Sequence, residues 1–198
     1  MKRLSAILLA LPLVFCGACS EEEETLPQQR ERIVSYLTAT HSPTLVDESE
    51  VDTESQQAFY TTSGNTVYRY IDNYYDPARP GRTEVTASSK VTITFRAYVF
   101  NFANITDSTF PFYSNDPLLK SAYEEMGLTS GAWSFEPLQI DMRSGNIIKG
   151  LRLALLGCRQ GDEVEAYMTY NMAYGDTNFS TIARESPLAW FFTVDAVE

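Results

Sequence analysis

The sequence is short of the side chains that most enzymes use for chemistry. Its 198 residues hold one histidine, three cysteines and two tryptophans, and 15 basic residues stand against 26 acidic ones. The one histidine, His41, lies in a polar stretch with no evident partner for a Ser-His-Asp triad, which argues against a hydrolase. No cysteine and histidine cluster has ligand spacing, so no metal and no cofactor is expected. The shortage of positive charge weighs against binding phosphate backbones, and nucleic acid is not an expected partner. Long apolar runs are equally scarce. Leu4 to Phe15 is the main one, too short and wrongly flanked to span a bilayer.

That run belongs to a leader. Met1-Lys2-Arg3 is a basic start, and Cys16-Gly17-Ala18 is a small-residue approach to Cys19, so residues 1–18 read as a secretory signal. Cys19 after Gly-Ala resembles the lipobox of bacterial lipoproteins, in which the cysteine is acylated and becomes the first residue. Cys16 stands where that pattern prefers an aliphatic residue, and cleavage without lipid is the alternative. The resemblance implies attachment to a lipid membrane through acylated Cys19, with more than one acyl chain for stable anchoring. It places the protein in the bacterial envelope as an outer-membrane lipoprotein, periplasmic or surface-exposed. Residues 19–30 then form an acidic tether. The run from Ser20 to Glu24 is a self-repelling spacer, or it resembles the surface-export signals of certain outer-membrane lipoproteins.

Losing Lys2 and Arg3 with the leader leaves 13 basic against 26 acidic residues, a formal charge of −13. Losing Cys16 and lipidating Cys19 leaves only Cys158, so no disulfide can form within the chain. Cys158 follows a helix-ending glycine among apolar residues and reads as a small buried side chain rather than a reactive thiol.

The rest suffices for one domain. Gln28–Leu37 predicts a short helix with Ile33, Val34 and Leu37 on one side. Thr38–Ser55, which contains His41, reads as an irregular polar surface segment, and residues 31–65 as an N-terminal extension to a domain over 66–198. From Gln56 the character is β. Val91, Ile93, Phe95, Ala97 and Val99 alternate with Thr92, Thr94, Arg96 and Tyr98, as a half-buried strand requires. Asp76–Gly81 is a loop. Asp116–Leu128 predicts an inserted helix, with Asp116 as N-cap, Pro117 in the first turn and Gly127 at its end. Strand character returns over Trp133–Met142 and Leu188–Val197, the latter with Trp190, Phe192 and Val194 on one face. Many strands and little helix give an α+β class, a short helix packed on a curved antiparallel sheet.

The most informative stretch is NIIKGLRLALLGCRQGDEVEAYMTYNMAYG, residues 146–175. Ile147, Ile148, Leu151 and Leu155 fall on one helical stripe, with Ser144 and Asn146 available as caps and Gly157 as a left-handed stop. Gln160-Gly161-Asp162 is turn chemistry, and Val164, Ala166, Met168 and Tyr170 then alternate as a strand face. This order resembles the second half of an FKBP-type peptidyl-prolyl isomerase domain. There a central helix crosses a curved antiparallel sheet and an "AYG" loop closes over the pocket. With VYRYIDNYYDPARPGRTEVTASSKVTITFRAYVFN as the first half, the resemblance covers roughly residues 66–197, with an insertion near 114–134.

The resemblance implies isomerase chemistry on proline-containing polypeptide clients. Rotation about an X–Pro bond crosses a barrier of about 18–20 kcal/mol through loss of amide resonance. It needs no nucleophile, only a dry apolar pocket that favours the twisted amide. By position, Tyr174 matches the AYG tyrosine that bonds the substrate carbonyl. Asp107 matches the aspartate of the family's "FDSS". Ile147 and Ile148 match the pair at the helix start, Ile148 offering its backbone N–H. Phe95 replaces a strand tyrosine, Ile182 matches the isoleucine of the closing loop, and Trp190 the aromatic of the last strand. The departures are Leu151 in place of the tryptophan floor, Thr106 in place of the FDSS phenylalanine, and Ala183-Arg184 in place of a proline pair. Ile147, Leu151, Phe95 and Trp190 would be core in any helix-on-sheet domain. Two functions follow: a membrane-anchored isomerase for exported proteins, or a catalytically weak binding module. In the second, Leu118, Leu119 and Tyr123 of the insertion offer a partner surface. The tyrosines at 68, 70, 74 and 75 are a carbohydrate platform or ordinary sheet residues.

Overall fold

The computed structural model describes residues 26–52, 54–106, 108–127 and 134–198. Cys16, Cys19, Asp107 and Trp133, each singled out in the sequence, lie outside the described residues. The chain is α+β, as expected. Helix α1 (Leu26–Ser35) continues into a wider π-type turn (Tyr36–Thr40). Strands β1 (Val46–Asp47), β2 (Phe59–Ser63), β3 (Val67–Ile71), β4 (Lys90–Val99) and β5 (Tyr113–Ser114) follow. Then come α2 (Lys120–Glu125), β6 (Leu138–Asp141), α3 (Lys149–Leu155), β7 (Glu163–Met168) and β8 (Leu188–Val197).

The strands form one sheet in the order β1-β2-β3-β7-β8-β4-β5, with β6 also paired to β4. All pairings are antiparallel except β1 with β2. On one edge of β4, β6 covers Lys90–Ile93 and β5 covers Arg96–Ala97. Between them Asn115, 2 % exposed, completes the ladder: its Oδ1 accepts from the Phe95 N–H at 2.6 Å and its Nδ2 donates to the Ile93 carbonyl at 2.9 Å. A buried amide here does the work of a strand partner.

Both faces of the sheet are covered. On the inner face Val91, Ile93, Phe95, Ala97, Val164, Ala166, Met168, Leu188, Trp190, Phe192 and Val194 pack with Leu151, Ala154 and Leu155 of α3. On the outer face Tyr68, Tyr70, Tyr98, Tyr167 and Ala189 pack with Ile33, Tyr36 and Leu37 of the first helix and with Leu45. The strand alternation read in β4 holds from Val91 to Ala97, with Thr92, Thr94 and Arg96 half-buried on the other side.

Three expectations are corrected here. Thr38–Ser55 is not an irregular surface segment: His41 and Leu45 are buried in the outer layer, and Val46–Asp47 pairs with β2. Val99 does not continue the buried face of β4 and is 42 % exposed. Past Ala97 the covered side changes, and Tyr98 and Phe100 are buried instead. Tyr68 and Tyr70 are core residues at 3 % and 5 % exposure, which removes them from any carbohydrate platform. Tyr74 and Tyr75 pack edge-on against Phe59, with the Arg79 guanidinium over the Tyr74 ring.

The insertion forms as its sequence signals. Asp116 accepts from the Leu118 N–H at 2.9 Å, Pro117 opens a short 3-10 turn, α2 follows, and Gly127 sits at φ +70°. Tyr123 is buried with its hydroxyl on the Pro111 carbonyl, while Leu118 is exposed. Only part of the proposed Leu118–Leu119–Tyr123 surface is therefore presented to solvent.

Candidate active site

The site rests on how closely α3 lies against β7. A Cβ added to Gly150 would collide with the Met168 sulfur and come within 2.9 Å of the Met172 carbonyl. Only glycine permits this approach. The expected caps are not used: Ile148 is the N-cap residue without a side-chain bond, and the Ser144 hydroxyl accepts the Asn146 N–H one turn earlier. The loop before α3 is held instead by Arg152, whose guanidinium donates to the carbonyls of Met142 and Ser144. At the other end Arg69 of β3 donates to the Ala154 and Leu156 carbonyls, closing orphan acceptors of the helix terminus. Gly157 follows at φ +75°, the left-handed stop read from sequence. Cys158 is fully buried, with its thiol pushed up to about 11 by burial.

Between α3, β6 and the last strand is a hollow of about 230 Å³. Ile147, Ile148, Leu151, Tyr174 and Trp190 line it, joined by Leu138 and Ile140 of β6. These five were named from sequence at positions up to 43 residues apart, and the fold brings them to one concavity. Its rim is polar, with Gln139, Ser144, Asn146 and Asp141. Hydrogen bonds from Arg143 hold the Asp141 carboxyl down to about 2, so it is ionised at physiological pH.

Trp190 is 4 % exposed and stacks on Phe95, centroids 4.7 Å apart at 25°. Its buried indole N–H has no hydrogen-bond partner among the described residues, and stacking and packing hold the ring. Leu151 leaves the helix side of the floor aliphatic. The aromatic surface comes from the strand side, through Trp190 with Phe95 beneath it. Phe95 is thus one layer below the pocket, not on its wall, at 1 % exposure. Ile182 is likewise buried in the inner core, and its backbone pairs with Phe179 across the tip of the loop 175–186.

Tyr174 is half-buried, and its ring lies flat against Phe179 at 4.1 Å and 7°. Burial first, and then the neighbouring Tyr113 phenol, raise its pKa, so the Tyr174 phenol remains a hydrogen-bond donor. Ile105 and Thr106 line a small cavity on the opposite, outer face with Tyr36 and His41. On the inner side Tyr113 lies edge-on to Phe95 at 5.0 Å.

Phe179 and Tyr113 were missed in the sequence. Phe179 carries a faint signal, since it is a lone aromatic in the polar run Asp176–Ser180 yet is 51 % exposed beside the pocket. Among the described residues no group of three or more His, Cys, Asp or Glu could hold a metal ion.

Comparison with known proteins gives the site a context. Residues 122–195 match the family model of FKBP-type peptidyl-prolyl cis-trans isomerases. Among curated proteins no sequence matches. Among solved structures, FkpA from Escherichia coli aligns at 14 % identity with a TM-score of 0.45, over 70 % of this chain and 51 % of FkpA. The chain thus spans about half the length of that protein.

Proposed function

We propose that this chain, whose residues 122–195 match the FKBP-type model, is a peptidyl-prolyl cis-trans isomerase acting on exported proteins. The observation that carries this reading is the open apolar hollow with a tyrosine phenol at its edge. Leu151, Ile147 and Trp190 would hold the proline ring away from water, while the Tyr174 hydroxyl and the Ile148 backbone N–H would bond substrate carbonyls. A hydrogen bond that strengthens as the amide twists lowers the barrier without any proton transfer.

The anchoring belongs to the same proposal. Acylation of Cys19 would attach the domain to the outer membrane, and the seven residues from there to Leu26 would reach at most about 25 Å. The clients would then be proline-containing polypeptides passing within that distance. Rate enhancement on a Leu-Pro peptide tests the activity, with Tyr174→Phe alongside; an uncatalysed rate with the wild-type chain rejects it. Labelling with a radioactive fatty acid, lost in Cys19→Ser, tests the anchor.

A second reading is a binding module that holds such peptides without turnover. The aliphatic Leu151 favours it, because the helix offers the proline ring no aromatic face. Saturable peptide binding with no acceleration would select this reading.

A further inference from the structure

Helix α1 packs on the outer face of the sheet, yet one of its side chains reaches the loop that carries Tyr174. Gln29 is fully buried. Its Oε1 accepts the Tyr170 backbone N–H at 3.0 Å, and its Nε2 donates to the Glu185 carbonyl at 2.8 Å. Tyr170 and Glu185 bracket the segment holding Tyr174, Phe179 and Ile182. Within that segment the Tyr170 carbonyl accepts the Gly175 N–H at 2.9 Å, and the Gly175 carbonyl accepts the Glu185 N–H at 2.9 Å. The four bonds close a ring: Gln29 to Glu185, Glu185 to Gly175, Gly175 to Tyr170, and Tyr170 back to Gln29.

The ring fixes the peptide next to Tyr174. Gly175 has φ +75° and Glu185 φ +59°, the latter a conformation that residues other than glycine seldom hold without outside support. One orientation of the Gln29 amide satisfies both partners, because flipping it would oppose two donors and two acceptors. No apolar residue of that size could supply both bonds.

We propose that Gln29 is a positioning residue of the isomerase site: by closing this ring it fixes the Tyr174 phenol over the proline pocket. The inference rests on the isomerase reading for its consequence and on the ring for its geometry. It makes the N-terminal helix, outside the stretch matched by the family model, a working part of the pocket.

The test uses the chain from residue 19 with Gln29→Met and Gln29→Glu, in a Trp133→Phe background that leaves Trp190 as sole indole. Gly175 is the reporter, since its N–H does not bond Gln29 directly. In Gln29→Met, amide exchange at Gly175 should rise at least tenfold over wild type, while Val194 in β8 stays unchanged. Leu-Pro peptide affinity by Trp190 fluorescence and kcat/KM should fall about tenfold.

In Gln29→Glu the introduced carboxylate cannot donate to Glu185, and burial raises its pKa. As pH falls it protonates and regains one donor and one acceptor. Gly175 protection relative to wild type at the same pH should therefore return in acid, a limb that Gln29→Met lacks. Unchanged Gly175 exchange in Gln29→Met, or no acid recovery in Gln29→Glu, would overturn the proposal. Should the methionine variant not fold, the acid limb decides. A wild-type chain without isomerase activity would reject the enzymatic reading alone, because exchange and peptide affinity are read without turnover.

Discussion

The two faces of the sheet are built by alternate residues of the same strands, yet they are different materials. The inner face is aliphatic and aromatic carbon, and its imperfect filling leaves the hollow beside Trp190 and Leu151. The outer face is dense with tyrosines and hydrogen bonds. There His41 binds Glu165 at 2.8 Å and the Pro43 carbonyl at 2.7 Å, Tyr167 donates to the same Glu165 carboxylate, and Tyr70 donates to Asp72 at 2.6 Å. Acceptors face both ring nitrogens of His41, which favours the protonated ring and raises its pKa. A featureless apolar wall suits transient contact with many proline segments. A directional polar network suits one permanent partner, the N-terminal helix.

The comparison breaks first at its packing. Leu37→Ala on the outer face and Leu155→Ala on the inner face each remove a fully buried leucine, and each should cost about 2–5 kcal/mol in urea unfolding. A loss below 1 kcal/mol for Leu37→Ala would make the N-terminal segment a peripheral attachment.

Glu165→Gln probes the polar network. It leaves the shape intact but replaces the carboxylate that faces His41 and Tyr167 with a neutral amide, for an expected loss of about 1–3 kcal/mol. Peptide binding on the other face should be unaffected, which separates the two faces.

Tyr174→Phe gives the opposite split. Removing this hydroxyl should lower kcat/KM about tenfold, about 1.4 kcal/mol of transition-state binding, while unfolding stability shifts by less than about 0.5 kcal/mol. A stability loss as large as the catalytic one would mark the phenol as structural.

The smallest effect is the dependence on pH. Burial opposes the charged His41 ring, but hydrogen bonds to Glu165 and the Pro43 carbonyl, with the charges of Glu165 and Asp72, outweigh it and raise the pKa above 6.5. A raised pKa in the folded state means that the stabilisation is complete below 6.5 and is lost as pH rises through the higher folded value. The urea midpoint should therefore fall as pH rises above 6.5, and His41→Gln should abolish that fall.

Local pattern made the inner face legible. The period-two alternation of β4 up to Ala97, of β7 up to Met168 and of β8, the glycine after α3 and the Asp116-Pro117 start of the insertion are short-range signals that form as read. Val99 is exposed, and Tyr170 falls in a 3-10 turn past the strand. Ile147, Ile148, Leu151, Tyr174 and Trp190 meet at one hollow, because helix start, loop tyrosine and last-strand aromatic follow in a fixed order. The outer face was not legible. His41 and Glu165 are 124 residues apart, Gln29 and Glu185 156 apart, and no local spacing announces such pairs. A polar residue in a polar stretch reads as surface until its distant partner is known. The same reason hid Phe179, whose exposure makes sense only beside the Tyr174 ring.

The ring through Gln29 has a practical corollary for anyone handling this protein. A truncation starting at residue 66, where the recognisable pattern begins, would discard the helix, the first two strands and the amide peg together. Such a fragment would present Tyr174 on a slack hinge. A silent assay from it would report the cut, while the intact chain kept whatever activity it has.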